Sequence, residues 1–202
     1  MHAKNYRPIT CLTTTFKSLT GMIANKIERH LHDNNMLDDA QQGARRGSYG
    51  TKQQLLINKT LLEHALKTRR NLSVIYYDYA KAFDSVPHEL IIETLSAYKV
   101  SPVIINFLKF IMPMWSTKLI PRHENGVLEV DDIKICRGIF QGDSLSPLLF
   151  ILAVNPVSFL LDKNQLGYRM DNVRISHILF YGRLKNICYK LQTGSNDGKN
   201  CV

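Results

Sequence analysis

The chain has 202 residues, of which 45% are hydrophobic and 21% are charged, a composition typical of a globular protein and not of a disordered one. The net charge is +9, and 12 of the 26 basic residues fall within residues 1–70. This charge favours a polyanionic partner such as nucleic acid or anionic lipid, although a solvated basic face is the simpler alternative. The longest clean apolar run, residues 148–154, is far shorter than the roughly 20 residues of a membrane span, so no membrane association is predicted.

The N-terminus and the cysteines favour an intracellular protein. The first residues have no apolar core of the kind that a signal peptide carries. The cysteines are dispersed and form no Cys-x-x-Cys pair, so neither a disulfide framework nor a zinc cluster is indicated. They are Cys11, Cys136, Cys188 and Cys201.

Helical periodicity dominates the first third of the chain. Apolar residues at three- and four-residue steps predict an amphipathic helix over residues 15–34. A Gly-rich stretch over residues 43–50 precedes a second predicted helix, with Thr51 as its N-cap. The apolar residues that define this second helix are Leu55, Leu62 and Leu66.

Short strands and two further helices follow. Residues 72–78 are rich in β-branched and aromatic side chains, which predicts a buried strand that ends in the carboxylate of Asp78. Pro87 and Pro102 mark the starts of two helices. Asn125-Gly126 predicts the turn of a β-hairpin.

The last third contains a long apolar segment. Ser146-Pro147 predicts the start of a buried helix through residues 148–161, with a kink at Pro156. Residues 174–180 form the last predicted strand, and residues 194–202 a polar tail. Together these elements predict an α+β fold.

Four segments carry the sharpest sequence patterns. They are residues 5–9 (Asn-Tyr-Arg-Pro-Ile), 42–47 (Gln-Gly-Ala-Arg-Arg-Gly), 78–88 (Asp-Tyr-Ala-Lys-Ala-Phe-Asp-Ser-Val-Pro-His) and 138–147 (Gly-Ile-Phe-Gln-Gly-Asp-Ser-Leu-Ser-Pro). These segments resemble, in the same order, the motifs of reverse transcriptases from non-LTR (LINE-type) retrotransposons. The resemblance spans residues 5–181, and the last two segments are the most specific.

The resemblance implies an α+β fold of fingers and palm, in which the palm is a ferredoxin-like antiparallel sheet packed on helices. Residues 1–70 and a return excursion over 99–140 would form the fingers. Residues 71–98 and 141–202 would form the palm, with an irregular C-terminal tail. We expect no thumb, because the sequence ends about 20 residues after Tyr181.

The resemblance also implies a reaction and a set of site residues. The family's reaction adds deoxynucleotides to a DNA primer on an RNA template with Mg²⁺, a hard ion that prefers carboxylate oxygens. Asp78 matches the first metal ligand, and Arg45 matches the arginine that contacts the incoming triphosphate. Phe83 matches the residue beneath the nucleotide sugar, although an ordinary core phenylalanine is the alternative. Gln141 and Gly142 match the segment that packs on the nascent base pair.

Four other residues of the motifs and their surroundings are interpreted as backbone contacts or as structural residues. Arg46 and Lys52 are candidates for contact with a phosphate backbone, and a solvated surface role is the equal alternative. Asp84 is interpreted as a local hydrogen-bonding anchor. Asp143 matches a family position outside the metal site.

The sequence departs from the family at the palm hairpin. The family has Tyr-x-Asp-Asp there, and its first Asp binds both metals together with the first-motif Asp. Residues 179–185 read Leu-Phe-Tyr-Gly-Arg-Leu-Lys, so the partner carboxylates are absent at Gly182 and Arg183. The simplest alignment loses one residue and puts Arg183 in place of an Asp. A pair of unit charges about 4 Å apart interacts by about 4 kcal/mol at an effective dielectric near 20, so we expect impaired Mg²⁺ binding and weak or absent polymerase activity.

Two alternatives remain open from the sequence. One is a non-catalytic nucleic-acid-binding remnant of a decayed element, with a reading frame shifted near Tyr181. The other is a chain that does not fold stably, because without a thumb the apolar segment 148–161 would have fewer packing partners. Since non-LTR elements act on chromosomal DNA, the resemblance also implies a nuclear location.

Overall fold

A computed structural model describes residues 9–41, 43, 47, 49–118, 122–123, 126–127, 132–164, 167–180 and 183–188. For residues 122–123, 126–127, 180 and 183–188 it describes the backbone alone. The chain divides into two compact units. Unit 1 comprises Met1–Met36 and Lys81–Ala153, and unit 2 comprises Leu37–Ala80 and Val154–Val202.

Unit 1 is mostly helical. Its helices are α1 (Thr14–Asp33), α3 (Ala82–Ser85), α4 (His88–Ala97), α5 (Pro102–Ile111) and the first half of α6 (Ser146–Lys163). The prediction of α1 is confirmed, and its start has a clear cause, because the Thr13 hydroxyl accepts a hydrogen bond from the Phe16 N–H at 3.4 Å. Its buried side chains recur at three- and four-residue steps, as the periodicity predicts: Thr20, Ile23, Ile27 and Leu31.

The predicted hairpin of unit 1 is confirmed, but Gly126, which was predicted in its turn, is the first residue of a strand and pairs with His123. The hairpin consists of the short strands β2 (Ser116–Thr117), β3 (Arg122–His123), β4 (Gly126–Val127) and β5 (Ile133–Lys134). Strand β3 pairs with β4, and β2 pairs with β5 further from the turn, both antiparallel.

Unit 2 contains the main sheet. Its elements are α2 (Thr51–Thr68), β1 (Ser73–Asp78), the second half of α6, β6 (Tyr168–Met170), β7 (Val173–Ile175), β8 (His177–Phe180) and β9 (Arg183–Cys188). The sheet has the strand order β1-β9-β8, all antiparallel, and β6 and β7 form a separate hairpin. Leu61 and Ala65 of α2 pack with Tyr168 and Ile178 to form the core of this unit.

Three sequence predictions are wrong in detail within unit 2. Strand β1 is largely exposed and not buried, because it lies at the edge of its three-stranded sheet. Residues 174–180 form two strands, since β7 pairs with β6 whereas β8 pairs with β9. Helix α2 begins at Thr51, but its N-cap is Gly50. The leucines that predicted this helix lie on its exposed face: Leu55, Leu62 and Leu66.

Helix α6 is the long apolar helix that the sequence predicts, and Pro156 lies inside it. By length and composition alone it could cross a membrane, but half of its residues are buried, as in the core helix of a folded domain. Its first half is almost wholly buried, whereas Phe159 and Leu160 near its end are exposed, so the prediction of a fully buried helix is only partly correct.

Candidate functional site

Two of the motif-like segments are hydrogen-bonded to each other in unit 1. Pro87 pairs with Arg137 in an antiparallel bridge. The Gly138 N–H donates to the Val86 carbonyl at 2.8 Å, and the Ile139 N–H donates to the Phe83 carbonyl at 2.9 Å. The backbones of residues 83–87 and 137–139 therefore hold the two segments side by side.

Gly138 is required for this close approach. Its φ is +93°, and a Cβ built on it would lie 2.9 Å from the Asp84 carbonyl oxygen. Its own carbonyl accepts a hydrogen bond from His88 Nε2 at 2.9 Å, which assigns the proton of that ring to Nε2. Neither Gly138 nor His88 was predicted as a site residue, although both lie within the quoted motifs.

The structure brings Gln141 and Gly142 close to the start of the chain and to Asp84. The Gln141 side-chain amide donates to Asp84 Oδ1 at 3.4 Å, and the Gln141 carbonyl accepts from the Thr10 N–H at 2.9 Å. Gly142 has φ +108°, and an added Cβ would lie 3.2 Å from the Thr10 carbonyl. The Asp84 carboxylate is thus an anchor between segments, and not only the local anchor that was predicted.

Phe83 has a clear packing role. Its ring stacks on the ring of Phe150 in α6, with centroids 5.2 Å apart and planes inclined by 11°. Phe83 is half-buried and Phe150 is buried. The alternative of a core phenylalanine therefore has a physical basis, while contact with a nucleotide sugar stays a prediction.

The Asp143 side chain is held by hydrogen bonds within unit 1. Its carboxylate is buried and accepts a hydrogen bond from the Thr20 hydroxyl at 2.5 Å. Burial raises the pKa of Asp143, and the Thr20 hydroxyl and the backbone N–H groups of Ser144 and Leu145 partly offset that rise. These contacts fix the segment that follows Gln141-Gly142 against α1.

Asp78 lies in unit 2, as the exposed last residue of β1. Its partner in the antiparallel pairing with β9 is Arg183, and Arg183 also pairs with Phe180 of β8. Directly paired residues of antiparallel strands share one face of the sheet, with Cβ atoms about 4.5–5.5 Å apart. The position beside Asp78 is therefore occupied by arginine.

The remaining predicted site residues are Arg45, Arg46, Lys52 and Gly182. Arg45, Arg46 and Gly182 lie outside the described residues. Lys52 is exposed in the first turn of α2.

The comparisons with known proteins identify the family. The reverse transcriptase (RNA-dependent DNA polymerase) family matches residues 2–185, and the chain belongs to this family. Its curated relatives are proteins of non-LTR retrotransposons, so the chain is a reverse transcriptase domain of that type.

Two of these relatives illustrate the extent of the match. The "Transposon TX1 uncharacterized 149 kDa protein" of Xenopus laevis is 29% identical over 153 residues, which cover 76% of this chain and 11% of that protein. A Pol polyprotein from the R2 element of Popillia japonica is 30% identical over 150 residues, or 72% of this chain and 19% of that protein. The chain thus spans less than a fifth of the length of either relative.

Solved structures share the fold. Telomerase from Candida tropicalis, in complex with a fragment of telomeric RNA, superimposes with a TM-score of 0.58 at 13% identity, covering 86% of this chain and 29% of that one. The apo telomerase from the same organism gives a TM-score of 0.55 over 86% of this chain and 34% of that one. The predicted α+β class is confirmed by this likeness and by the mixture of helices and antiparallel sheets.

Proposed function

We propose that this reverse transcriptase domain binds an RNA template with a DNA primer, and that it adds deoxynucleotides weakly or not at all. The pairing of Asp78 with Arg183 is the observation that carries the proposal. We also assign residues 1–70 and 99–140 to the fingers and residues 71–98 and 141–202 to the palm.

The donor chemistry beside Asp78 does not fit a pair of divalent ions. Two-metal nucleotidyl transfer needs carboxylates that hold both ions about 3.5–4 Å apart. Asp78 supplies one carboxylate, whereas its pairing partner is a permanently charged guanidinium residue. A cation in place of a ligand repels the ions that the reaction requires.

Nucleic-acid binding requires no metal pair. The first 70 residues hold 12 basic and 5 acidic side chains, a local charge of +7 that suits a phosphate backbone. The RNA-bound telomerase has the same fold, which supports an RNA-containing partner here. Arg45, Arg46 and Lys52 are the residues that we assign to phosphate contacts.

Fluorescence anisotropy with a labelled RNA–DNA template–primer tests binding. We expect the logarithm of the association constant to fall linearly with the logarithm of the salt concentration between about 50 and about 200 mM. Lys52→Gln should lower the steepness of that line by about one unit, whereas Lys109→Gln, which removes an exposed lysine of α5, should leave it unchanged. Binding that is absent at low salt, or insensitive to salt, would contradict the proposal.

Primer extension with Mg²⁺ and deoxynucleotides tests the proposed impairment of deoxynucleotide addition. The unmodified chain should extend the primer no further than Asp78→Ala does. Extension that Asp78→Ala abolishes would show an active metal site, and would overturn the proposed impairment.

A further inference from the structure

Three metal-ligating side chains meet in unit 2, and the polymerase function uses none of them. Asp38 precedes α2, Asp162 lies in the last turn of α6, and His177 opens β8. One ligand atom from each lies within 4.8 Å of the other two. The His177 side chain is wholly buried, while that of Asp162 is 47% exposed, so the cluster joins the interior to the surface.

The backbone around the cluster is already fixed. The Asp38 N–H donates to Asn155 Oδ1 of α6 at 3.3 Å. The Leu179 N–H of β8 donates to the Ala40 carbonyl at 2.9 Å. The three segments that carry the ligands are therefore tied together by bonds that do not involve the ligand atoms, which is the preorganisation that a binding site needs.

The His177 ring is oriented by Ser158. Its Nε2 lies 2.9 Å from the Ser158 hydroxyl, and its Nδ1 lies 3.7 Å from Asp162 Oδ1. The Ser176 hydroxyl, 2.8 Å from Nδ1, donates to the same Asp162 oxygen at 2.6 Å. Because the Ser176 proton goes to Asp162, the Ser176 oxygen accepts from the Nδ1–H. An ion bound at Nδ1 would take the place of that proton, with the Nε2–H then donating to Ser158 as the second partner of a metal-binding imidazole does.

A hydrolytic triad has a similar serine, histidine and aspartate set, but the surroundings exclude it. Ser158 has no exposed surface, so no substrate can reach its hydroxyl. The open side of the cluster is the side of Asp162 and the half-buried Asp38. The solvent-exposed part of the cluster is therefore carboxylate, the ligand type that binds cations.

We propose that Asp38, Asp162 and His177 bind one divalent ion of the Zn²⁺ class, at a structural site that joins the segment before α2, the end of α6 and β8. Zinc bonds to nitrogen and oxygen ligands are about 2.0–2.2 Å long, which places the ligands of a tetrahedral ion about 3.4 Å apart. The 3.7 Å between His177 Nδ1 and Asp162 Oδ1 is close to that spacing. The imidazole favours Zn²⁺ over Mg²⁺, which prefers oxygen ligands alone.

Calorimetric titration of the untagged, chelator-treated chain with ZnCl₂ tests this proposal, with MgCl₂ as the comparator. One Zn²⁺ should bind per chain, and Asp162→Asn should weaken its binding at least ~10-fold. Asp171→Asn is the matched control, because it removes an exposed aspartate of the same unit at φ +51°, a backbone conformation that asparagine adopts readily. It should leave Zn²⁺ binding unchanged.

No saturable Zn²⁺ binding, or equal binding by Asp162→Asn and the unmodified chain, would overturn the proposal. Circular dichroism checks that the variant is folded. If Asp162→Asn is unfolded, the NMR spectrum of the unmodified chain with Co²⁺ tests the proposed ion site instead. A paramagnetic shift of the His177 ring protons supports the site, and its absence contradicts it. Neither readout depends on polymerase activity or on binding of nucleic acid.

Discussion

Asp78, the last residue of β1, pairs with Arg183, the first residue of β9. Strand β9 also pairs with β8 on its other side. The pairing of β1 with β9 extends over six residue pairs, from Ser73 with Cys188 to Asp78 with Arg183. A shift of one residue in that pairing would move every side chain of a strand to the other face of the sheet. The pairing of the two whole strands therefore sets arginine beside Asp78, the residue that matches the family's first metal ligand.

Gly138→Ala should strongly destabilise the chain. The new Cβ would lie 2.9 Å from the Asp84 carbonyl, at a φ of +93°, so the two motif segments would be forced apart. We expect a loss of about 3 kcal/mol or more in the free energy of unfolding, measured with urea. Gly47→Ala is the control, because Gly47 also has a positive φ but has no atom within 4 Å of an added Cβ. It should cost only about 1–2 kcal/mol, and equal losses for the two variants would refute the steric explanation.

The stacking of Phe83 on Phe150 predicts a second loss of stability. Phe83→Ala removes a half-buried ring, so the free energy of unfolding should fall by about 2–3 kcal/mol, while Phe83→Leu should retain much of it. Phe110→Ala removes a ring that is 67% exposed on α5, and should change stability by less than about 0.5 kcal/mol. Thermal melts followed by circular dichroism provide the comparison. A Phe83→Ala variant as stable as Phe110→Ala would show that the stack contributes nothing.

The buried carboxylate of Asp143 predicts a particular pH dependence. Burial raises its pKa above the ordinary 3.8, so the folded chain holds this proton more tightly than the unfolded chain does. The resulting stabilisation is complete below 3.8 and is lost as the pH rises through the raised pKa. The free energy of unfolding of the unmodified chain, minus that of Asp143→Asn, should therefore decrease between about pH 4 and about pH 7.

Urea unfolding of both proteins across that range measures the difference. Taking the difference removes the contribution of Asp38, whose pKa is also raised, mainly by burial, and which both proteins share. A difference that grows with pH would mean that the hydrogen bonds to Asp143 outweigh its burial.

The sequence predicts elements that depend on neighbouring residues, and it does not predict contacts between residues far apart in the chain. Helix α1 was predicted within one residue at each end, because its apolar period repeats every three to four residues and is visible in the sequence itself. The motif order predicted the family, but not the contacts that hold the motif segments in place. The bond between Thr20 and Asp143 joins residues 123 positions apart, and no periodic pattern records such a contact.

The exposure of β1 and the metal-ligating cluster show the same limit. Whether a hydrophobic strand is buried depends on its place in the sheet, and β1 is at the edge. Asp38, Asp162 and His177 lie on three separate segments and match no ligand-spacing motif, so only the folded chain brings them together.

Primer extension by a chain with both carboxylates restored tests the central claim most directly. The comparison is between the unmodified chain, a double variant that carries Arg183→Asp and one further Asp inserted after it, and the double variant that also carries Asp78→Ala, on an RNA template with Mg²⁺. The double variant places Asp-Asp directly after Tyr181-Gly182, as the family motif requires. Replacing repulsion by attraction at a metal site is worth several kcal/mol, so the double variant should extend the primer at least ~100-fold faster, and Asp78→Ala should abolish that gain. A folded double variant that binds template–primer yet extends it no faster than the unmodified chain would contradict the claim that the residues beside Asp78 limit this reverse transcriptase domain.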